Sequence, residues 1–482
     1  MPTIKDVKCP PITEGVIRSA QIYDTAAPEN SVQLAVNMNF DSIGAMQTRP
    51  GVTSYGHDLG GSVKSFGVLN VLGGVKKIFG QVGTDVSVYT GSAWTSVRTL
   101  TKTNKARYSQ WLNNLWMVNG NDGDAVMLSS GSTFTATGVP AGFPKGDFIQ
   151  AGFDGRVWVG DASKDVLYYT DIVQFNGTSG TYEPLTFTLA DNFIEKFSSQ
   201  NGESMTGLIR VPRALLVFKQ NHIYRVYSTE NVDPYPAYNV GTYSQESIVE
   251  TKQGVFFHHS SGFYQFNYDG QPTEISRRIV DFVRAIPRAN YGDITGIYDG
   301  YDSVKWNIGA VTVEGISYTN CQVRYTISTQ VWTIYDYTPV ITAMIRFDDG
   351  TTIEQVCGTS TGVFAKLDLG NTDLTLPIYY EMIDRWRSFT EMYYKSKEIS
   401  GLMVMSQNAA GAELQYQTEK SPVDKWEDID KLDDRYDSLM PNAKAGDFNS
   451  IRFRIKGFTK GEPVIIYGTE LLSIQIKGQD SN

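Results

Sequence analysis

A unit of short strand-like segments and tight turns repeats along this chain at a nearly constant spacing. In residues 62–100, four runs rich in β-branched and aromatic residues are separated by turns at Gly73-Gly74, Gly83 and Gly91. Four antiparallel strands joined by tight turns are the content of one β-propeller blade. Similar units begin at positions 62, 106, 147, 204, 247, 295 and 341, which are 41 to 57 residues apart. Propeller repeats have periods of ~40–50 residues, so the spacing agrees.

The repeat predicts an all-β protein with a β-propeller of six or seven blades. A set of β-sandwiches also has strands every ~8–12 residues, but the near-constant long period favours the propeller. We predict an N-terminal arm and first strands over 1–60, a propeller over 61–376 with an insertion at about 173–203, and a separate small β-sandwich-like domain over 377–482. The charged stretch 422–447 is either an exposed loop or a projecting docking element.

One helix is predicted between two of the units. The segment 277–286 can be capped by Ser276, is stopped by Pro287, and places Ile279, Phe282, Val283 and Ile286 on one face. Its polar side carries three arginines, Arg277, Arg278 and Arg284. That side is either solvated or in contact with a neighbour.

Charge and cysteine content bear on partners and compartment. The 482 residues include 42 Lys and Arg against 52 Asp and Glu, a formal net charge of -10, which disfavours stable binding to a phosphate backbone. No apolar run approaches the ~20 residues of a membrane span, and the first residues lack the pattern of a secretory signal. The three cysteines (Cys9, Cys321 and Cys357) are far apart and odd in number, which indicates free thiols and a reducing compartment.

A hydrolase motif occurs in the wrong context. Residues 358–362 spell G-x-S-x-G around Ser360, and in a hydrolase the acid and then the His follow that Ser. All four histidines (His57, His222, His258 and His259) precede Ser360. The segment after it has the pattern of a strand, so we predict a β-turn between strands.

Metal and nucleotide motifs are also incomplete. His258 and His259 are adjacent in a predicted strand, so their side chains point to opposite faces. The loop 119–124 is rich in Asn and Asp, but the positions that need Gly and an acid in a calcium loop hold Asp124 and Ser130. We predict a hairpin loop there, with a bound cation left open. We predict no catalytic, cofactor-binding or metal-binding residues and no cofactor, although the sequence leaves a pair of glycosidase carboxylates open.

The order of features resembles one family. The segments that carry the likeness are NSVQLAVNMNFDSIGAMQTRPG (30–51), EISRRIVDFVRAI (274–286), VRYTISTQVWTIYD (323–336) and FNSIRFRIKGFTKGEPVIIYGTELLSIQI (448–476). Together with the aromatic-rich blades, they resemble the packaged-DNA stabilisation, or tail nozzle (tail tubular), proteins of short-tailed bacteriophages. The likeness covers most of the chain and rests on order and texture.

The resemblance implies a structural protein of the phage tail, synthesised and assembled in the host cytoplasm. It implies a homohexameric ring below the portal and its adaptor that extends and helps close the DNA channel. The implied partners are further copies of the chain, the portal-adaptor protein, tail fibre, tailspike or needle proteins, and transiently double-stranded DNA, with no membrane anchor. Six copies would carry a formal charge of -60, six times -10, which keeps DNA mobile. The alternatives are a propeller glycosidase or carbohydrate-binding protein, and a monomeric cytoplasmic interaction propeller.

Overall fold

The N-terminal segment supplies five short strands. They are β1 (Ile4–Lys8), β2 (Val32–Val36), β3 (Met38–Phe40), β4 (Met46–Thr48) and β5 (Val52–Ser54). Of these, β3 and β4 pair with each other, and β1, β2, β4 and β5 pair with strands far along the chain. The computed structural model describes residues 4–8, 12–18, 30–40, 44–71, 74, 76–176, 181–195, 197, 202–234, 239–268, 271–348, 350–387, 397–399, 401–422, 425–433, 437–440 and 445–476.

Five antiparallel sheets then follow one another, each made from neighbouring strands. The first holds β6 (Val63–Leu69), β7 (Lys77–Val82), β8 (Asp85–Tyr89) and β9 (Trp94–Thr99), and the second β10 (Arg107–Trp111), β11 (Asn114–Val118) and β12 (Met127–Ser129). The third holds β13 (Phe148–Phe153), β14 (Arg156–Asp161) and β15 (Val166–Tyr169), followed by a separate hairpin of β16 (Phe175–Asn176) and β17 (Thr181–Tyr182), and then β18 (Phe193–Ile194), which pairs with β15. The fourth holds β19 (Met205–Val211), β20 (Ala214–Lys219), β21 (Ile223–Val226) and β22 (Val232–Pro234). The fifth holds β23 (Val249–Thr251), β24 (Gly254–His259), β25 (Gly262–Phe266) and β26 (Thr273–Glu274), and is preceded by a 3-10 turn, Gln245–Ser247.

Two more repeat units and a C-terminal group of strands complete the chain. The sixth unit holds β27 (Thr295–Tyr298), β28 (Ser303–Val313), β29 (Ile316–Thr326) and β30 (Val331–Asp336), and the seventh β31 (Ile341–Asp348), β32 (Ile353–Thr359) and β33 (Phe364–Leu367), followed by β34 (Thr372–Asp373) and β35 (Leu376–Pro377). The remaining strands are β36 (Tyr379–Asp384), β37 (Lys397–Ile399), β38 (Gly401–Gln407), β39 (Glu413–Thr418), β40 (Glu427–Lys431), β41 (Asp437–Met440), β42 (Ala445–Phe448), β43 (Ile451–Phe458) and β44 (Ile465–Ile476).

The seven units form a β-propeller, and within the described ranges the number of blades is seven. Both faces of a blade are apolar because it packs between two others, as β20 shows. Leu215 and Val217 join the cluster shared with the third blade, whereas Leu216 and Phe218 join the one shared with the fifth. Since successive side chains in a strand point to opposite faces, an unbroken apolar run is what such a strand requires.

The ring closes where the seventh blade meets the first. Val63 shares a core cluster with Val356 and Phe364, and the Thr342 hydroxyl donates to the Val63 carbonyl at 2.6 Å. A Cβ on Gly358 would lie 2.5 Å from the Val63 Cβ, so this contact requires glycine. The fourth strand of the seventh blade is β5, which pairs antiparallel with β33. The N-terminal segment therefore completes the last blade.

The predicted separate domain over 377–482 is wrong in one respect, because its strands continue a propeller sheet. β30 of the sixth blade pairs with β2 in parallel, and β2 pairs with β36. The resulting nine-stranded sheet has the order β27-β28-β29-β30-β2-β36-β43-β39-β40. Its far half packs on an eight-stranded sheet that includes β3, β4, β38 and β44, with Leu402, Phe453 and Ile466 between them. The sandwich exists, but it grows out of the sixth blade.

The predicted charged loop and the predicted insertion both contain strands that pair with the sheets. The charged stretch 422–447 contains β40, β41 and β42, which pair with β39, β38 and β37. The exposed acidic side chains of β40 are compatible with a strand at the edge of a sheet, where charge prevents further pairing. The predicted insertion at 173–203 contributes β18 to the third blade. In both places the pairing partner, and not the local composition, decides the structure.

The predicted helix is present but shorter, with a different start. Residues Arg277–Ile279 form a 3-10 turn and Val280–Ala285 form α1. The face containing Phe282 and Val283 is buried as expected. Ser276 makes no capping bond and instead accepts the Phe263 N–H at 3.0 Å, so the predicted cap is wrong. A third 3-10 segment, Arg288–Asp293, leads into β27.

Candidate functional site

The axis of the propeller holds a cavity of about 170 Å³, lined by the inner strands of several blades. Its charged lining residues are Lys64, Lys105, Arg107 and Glu246. Lys64 and Arg107 belong to β6 and β10, whereas Glu246 comes from the 3-10 turn before β23. A wider cavity of about 490 Å³ adjoins it and shares Lys64 and Lys105. The two cavities together form the propeller channel. Its inner part is a charged site, whose charged side chains, from Lys64 to Glu246, are up to 182 positions apart in the sequence.

Glu246 is the centre of the charge cluster. Arg107 Nε donates to Glu246 Oε1 at 2.9 Å, and the Lys105 ammonium lies 3.8 Å from Oε2. The Ser244 hydroxyl also lies 3.2 Å from Oε2. Burial disfavours the charged carboxylate, but Arg107 and Lys105 outweigh it and lower the pKa of Glu246 from 4.5 to about 2. Glu246 is therefore ionised at neutral pH.

This arrangement does not provide glycosidase chemistry. A glycosidase needs two carboxyl groups about 5–10 Å apart, one of which keeps its proton near neutral pH. Glu246 is the only carboxylate that lines the inner cavity among the described residues, and the guanidinium of Arg107 holds it charged. Among the described residues, the inner cavity therefore offers no second carboxyl group to act as the proton donor.

Ser360 lies in the turn between β32 and β33. Its backbone N–H donates to the Val340 carbonyl at 2.9 Å, and Gly362 has a φ of 93°, which glycine adopts without strain. No helix follows it, because β33 begins at Phe364. The G-x-S-x-G segment is a turn, in agreement with the sequence interpretation.

The adjacent histidines lie on opposite sides of β24. The His258 ring packs against Phe263 and Tyr291, with centroids 5.1 and 5.3 Å away. His259 contacts Ser261 Oγ through Nδ1 at 2.7 Å and Asn221 Oδ1 through Nε2 at 3.1 Å. Burial lowers the pKa of His258 to about 3 and that of His259 to about 4.

The Ser261–His259–Asn221 contacts resemble a nucleophile, base and orienting group. A general base has to accept a proton near the working pH, and a histidine with a pKa of about 4 does so poorly at neutral pH. The Asn221 amide is in turn bonded to Glu203, which also contacts His222 Nδ1 at 2.8 Å. This network joins the fourth and fifth blades, which is a structural role.

The candidate calcium loop is held by neighbouring side chains. Asn104 Nδ2 donates to Asp122 Oδ1 at 2.6 Å, and Asp124 Oδ2 accepts the Thr101 N–H at 2.8 Å. Arg98 lies 3.7 Å from Asp124. Within the described part of the chain, no group of three or more His, Cys, Asp or Glu is arranged to hold a metal ion.

The cysteines and the helix arginines fall in different environments. Cys321 and Cys357 are buried free thiols, whereas Cys9 lies outside the described residues. Arg277 is 84% exposed and pairs with Glu274, but Arg278 contacts Glu14 of the N-terminal segment at 3.2 Å. Both alternatives for the arginine face therefore occur, one at each residue. None of the described helices is long and apolar enough to span a bilayer.

Comparisons with known proteins do not assign the chain to a family. No protein-family model and no curated protein matches the chain. Among solved structures, YCF48 from Cyanidioschyzon merolae is 11% identical with a TM-score of 0.36, covering 64% of this chain and 95% of its own. BBS1N in complex with ARL6DN is 8% identical with a TM-score of 0.36, covering 68% and 99%. The AfRom2 CNH domain is 11% identical with a TM-score of 0.38, covering 67% and 100%. Likenesses this distant carry no argument about what the chain does.

Proposed function

We propose that this chain is a structural virion protein of a short-tailed phage, forming a nozzle ring below the portal and its adaptor. The observation that carries the proposal is the nine-stranded sheet that runs from the sixth blade into the C-terminal sandwich. Because backbone hydrogen bonds join the two regions, they cannot rotate freely against each other. A wall under load from packaged DNA needs such a rigid unit.

The proposed ring places the DNA conduit between copies and not inside a propeller. The inner cavity of about 170 Å³ is far too small for a duplex, and the Arg107–Glu246 ion pair lines it. Six chains with a net charge of -10 each would surround DNA with like charge, which limits adhesion. The ring would extend and help close the DNA channel, stabilise packaged DNA and conduct it during ejection.

The ring needs a heterologous interface, in which one surface meets a different surface on the next copy. The proposed partners are further copies, the portal-adaptor protein, and tail fibre, tailspike or needle proteins. In this role the protein is not an enzyme and uses no cofactor. It is made in the host cytoplasm and ends in the phage tail.

The mass of the full chain in solution tests the proposal. We expect light scattering to give about 320 kDa, six times the 53.6 kDa of one chain, either alone or with the portal-adaptor protein added. Electron microscopy of the same sample should show six-fold rings. A persistent monomer in both samples would contradict the proposal, as would tight, salt-sensitive binding of duplex DNA in a filter assay. Turnover of a glycan would instead favour the carbohydrate-active alternative.

A further inference from the structure

The propeller channel has an excess of positive charge inside an acidic protein. Lys64, Lys105 and Arg107 line the inner cavity, and Glu246 is the single carboxylate among its described lining residues. The inner cavity therefore carries a formal charge of +2, three cations against one anion, in a chain whose net charge is -10. Low-dielectric walls focus such a field and attract ions of the opposite sign.

The two lysines retain donors that the protein does not use. The Lys105 ammonium lies 3.8 Å from Glu246 Oε2, which is an ion pair but too long for a hydrogen bond. Lys64 Nζ donates to the Thr103 carbonyl, the one hydrogen-bond acceptor that the described residues offer it. An ammonium group has three N–H donors, so both lysines can hold an additional acceptor. Arg107, in contrast, is fixed by Glu246 and by the Asp147 carbonyl at 2.9 Å.

The space in front of these lysines is large enough for an anion. Lys64 and Lys105 both line the inner cavity of about 170 Å³ and the adjoining one of about 490 Å³. A water molecule occupies roughly 30 Å³, so either space exceeds what one water fills. Neither cavity is enclosed, and the wider one has an acid of its own, Asp293, on the 3-10 segment at its wall.

We propose that the propeller channel is a binding site for a phosphate-class oxyanion, held between Lys64 and Lys105 with Arg107 as the charge behind them. Charge-assisted hydrogen bonds from ammonium groups to phosphate oxygens are short and strong. Glu246 has two opposite effects on the affinity for the anion. It keeps Arg107 in place, but its negative charge repels the ligand and so lowers the affinity. The site lies within one chain, so this inference does not depend on ring formation.

Calorimetric titration of the full chain with inorganic phosphate and with pyrophosphate tests the site. We expect pyrophosphate to bind more tightly because it carries more charge. The double variant K64Q/K105Q should raise its dissociation constant by about tenfold or more, since two charge-assisted contacts are lost. The matched control K76Q/K164Q removes two lysines that are paired with Asp348 and Asp161 and do not line either cavity, and it should bind as the native chain does.

Two further variants separate loss of the site from loss of the fold. K64Q alone removes a lysine whose described partner is a backbone carbonyl, so it should melt like the native chain yet bind several-fold more weakly. E246Q removes the opposing charge, and where its thermal melt is unchanged it should bind pyrophosphate more tightly. Equal binding by the native chain and K64Q/K105Q would overturn the proposal, and so would absence of phosphate and pyrophosphate binding in the native chain.

The phosphate could belong to a free ion or to a nucleic acid. A short single-stranded oligonucleotide provides the second arm of the titration. Competition between pyrophosphate and the oligonucleotide, with both weakened in K64Q/K105Q, supports a site that also takes a backbone phosphate. Pyrophosphate binding without oligonucleotide binding supports a site for free oxyanions. Binding of the oligonucleotide alone, unaffected by K64Q/K105Q, would place the contact on the outer surface and overturn the inference.

Discussion

The first five blades and the region that joins blades six and seven to the C-terminal strands are built in opposite ways. Each of the first five sheets comes from one continuous stretch, such as Val63–Thr99 for the first blade. The nine-stranded sheet instead combines strands from 32–36, 295–336 and 379–458. Blades of the first kind rest on local hairpins, whereas the second region requires segments hundreds of residues apart to meet.

Buried charge is concentrated where the distant segments meet. Arg49 and Asp373 form a fully buried ion pair, with Nη2 to Oδ2 at 2.7 Å, and the Arg49 guanidinium lies 3.7 Å from the Tyr337 ring centroid. Lys305 pairs with Asp368 nearby. Such pairs cost desolvation, but once formed they admit few alternative partners. We interpret them as the groups that specify how the ends of the chain join the propeller.

The largest effect should follow from removing the Arg49 side chain. R49M leaves Asp373 buried without its bidentate partner and removes one of the two N–H donors to Asn37 Oδ1, the Arg49 Nε at 2.7 Å. We expect the free energy of unfolding to fall by about 3–5 kcal/mol, measured by denaturant titration. R277M, at an exposed arginine, should change it by less than about 0.5 kcal/mol.

The double variant R49M/D373L completes this test. Replacing both partners by apolar groups removes the stranded charge, so it should recover much of the loss seen in R49M. A loss below about 1 kcal/mol in R49M would show that the ion pair does not hold the junction.

The next effect concerns the seam at which the ring closes. G358A places a Cβ 2.5 Å from the Val63 Cβ, between the seventh and first blades. Crowding in a packed core costs about 1–3 kcal/mol, so denaturant titration should show a loss of that size. G292A is the control, because a Cβ there meets nothing within 4 Å. Equal stability of the two variants would mean that the seam is loosely packed.

The local blades were predictable from the sequence, and the joined region was not. The strands of the first blade carry alternation and turn glycines within residues 62–100, so their positions follow from short-range pattern. β2 and β5 fall in the predicted N-terminal arm, but their partners are about 300 residues away or more, and no short-range pattern reports such pairing. β40 lies in the stretch predicted to be an exposed loop or a docking element, because an exposed edge strand can be as charged as a loop.

The site in the propeller channel could not be predicted from the sequence for the same reason. Arg107 and Glu246 are separated by 139 positions, and neither belongs to a recognisable motif. The propeller prediction implied that inner strands meet around an axis, but it did not tell which residues of each unit face that axis. The turn at the G-x-S-x-G segment and the opposite orientation of His258 and His259 were predictable from the sequence, because both depend on local geometry.

A smaller, pH-dependent effect on stability should come from the fifth blade, one of the five built from a single continuous stretch. His258 is 1% exposed, and among the described residues neither ring nitrogen has a hydrogen-bond partner. Its pKa of about 3 in the folded chain lies below the unfolded value of 6.5, so the unfolded state takes up the proton first on acidification. The contribution of neutral His258 to the free energy of unfolding is therefore complete above pH 6.5 and is lost progressively as the pH falls toward 3.

H258F removes the titratable imidazole and keeps an aromatic ring that can contact Phe263 and Tyr291. Comparing unfolding at pH 7.5 and pH 5, we expect the variant to lose less stability than the native chain, by on the order of 1–2 kcal/mol. H57F, at an exposed histidine, serves as the control and should follow the native profile. Parallel pH profiles for H258F and the native chain would refute the buried neutral state.

The smallest change in stability should occur at the far edge of the joined region, where the expected effect is on association. β40 ends the nine-stranded sheet, and its exposed Asp430 is one of the charges that keep this edge from pairing with another chain. D430V should change the free energy of unfolding by less than about 0.5 kcal/mol, because the side chain is solvated. It should nevertheless increase light scattering on prolonged incubation, whereas D430K, which retains a charge, should not. If D430V stays as monodisperse as D430K, the charges on β40 serve some purpose other than protecting the edge.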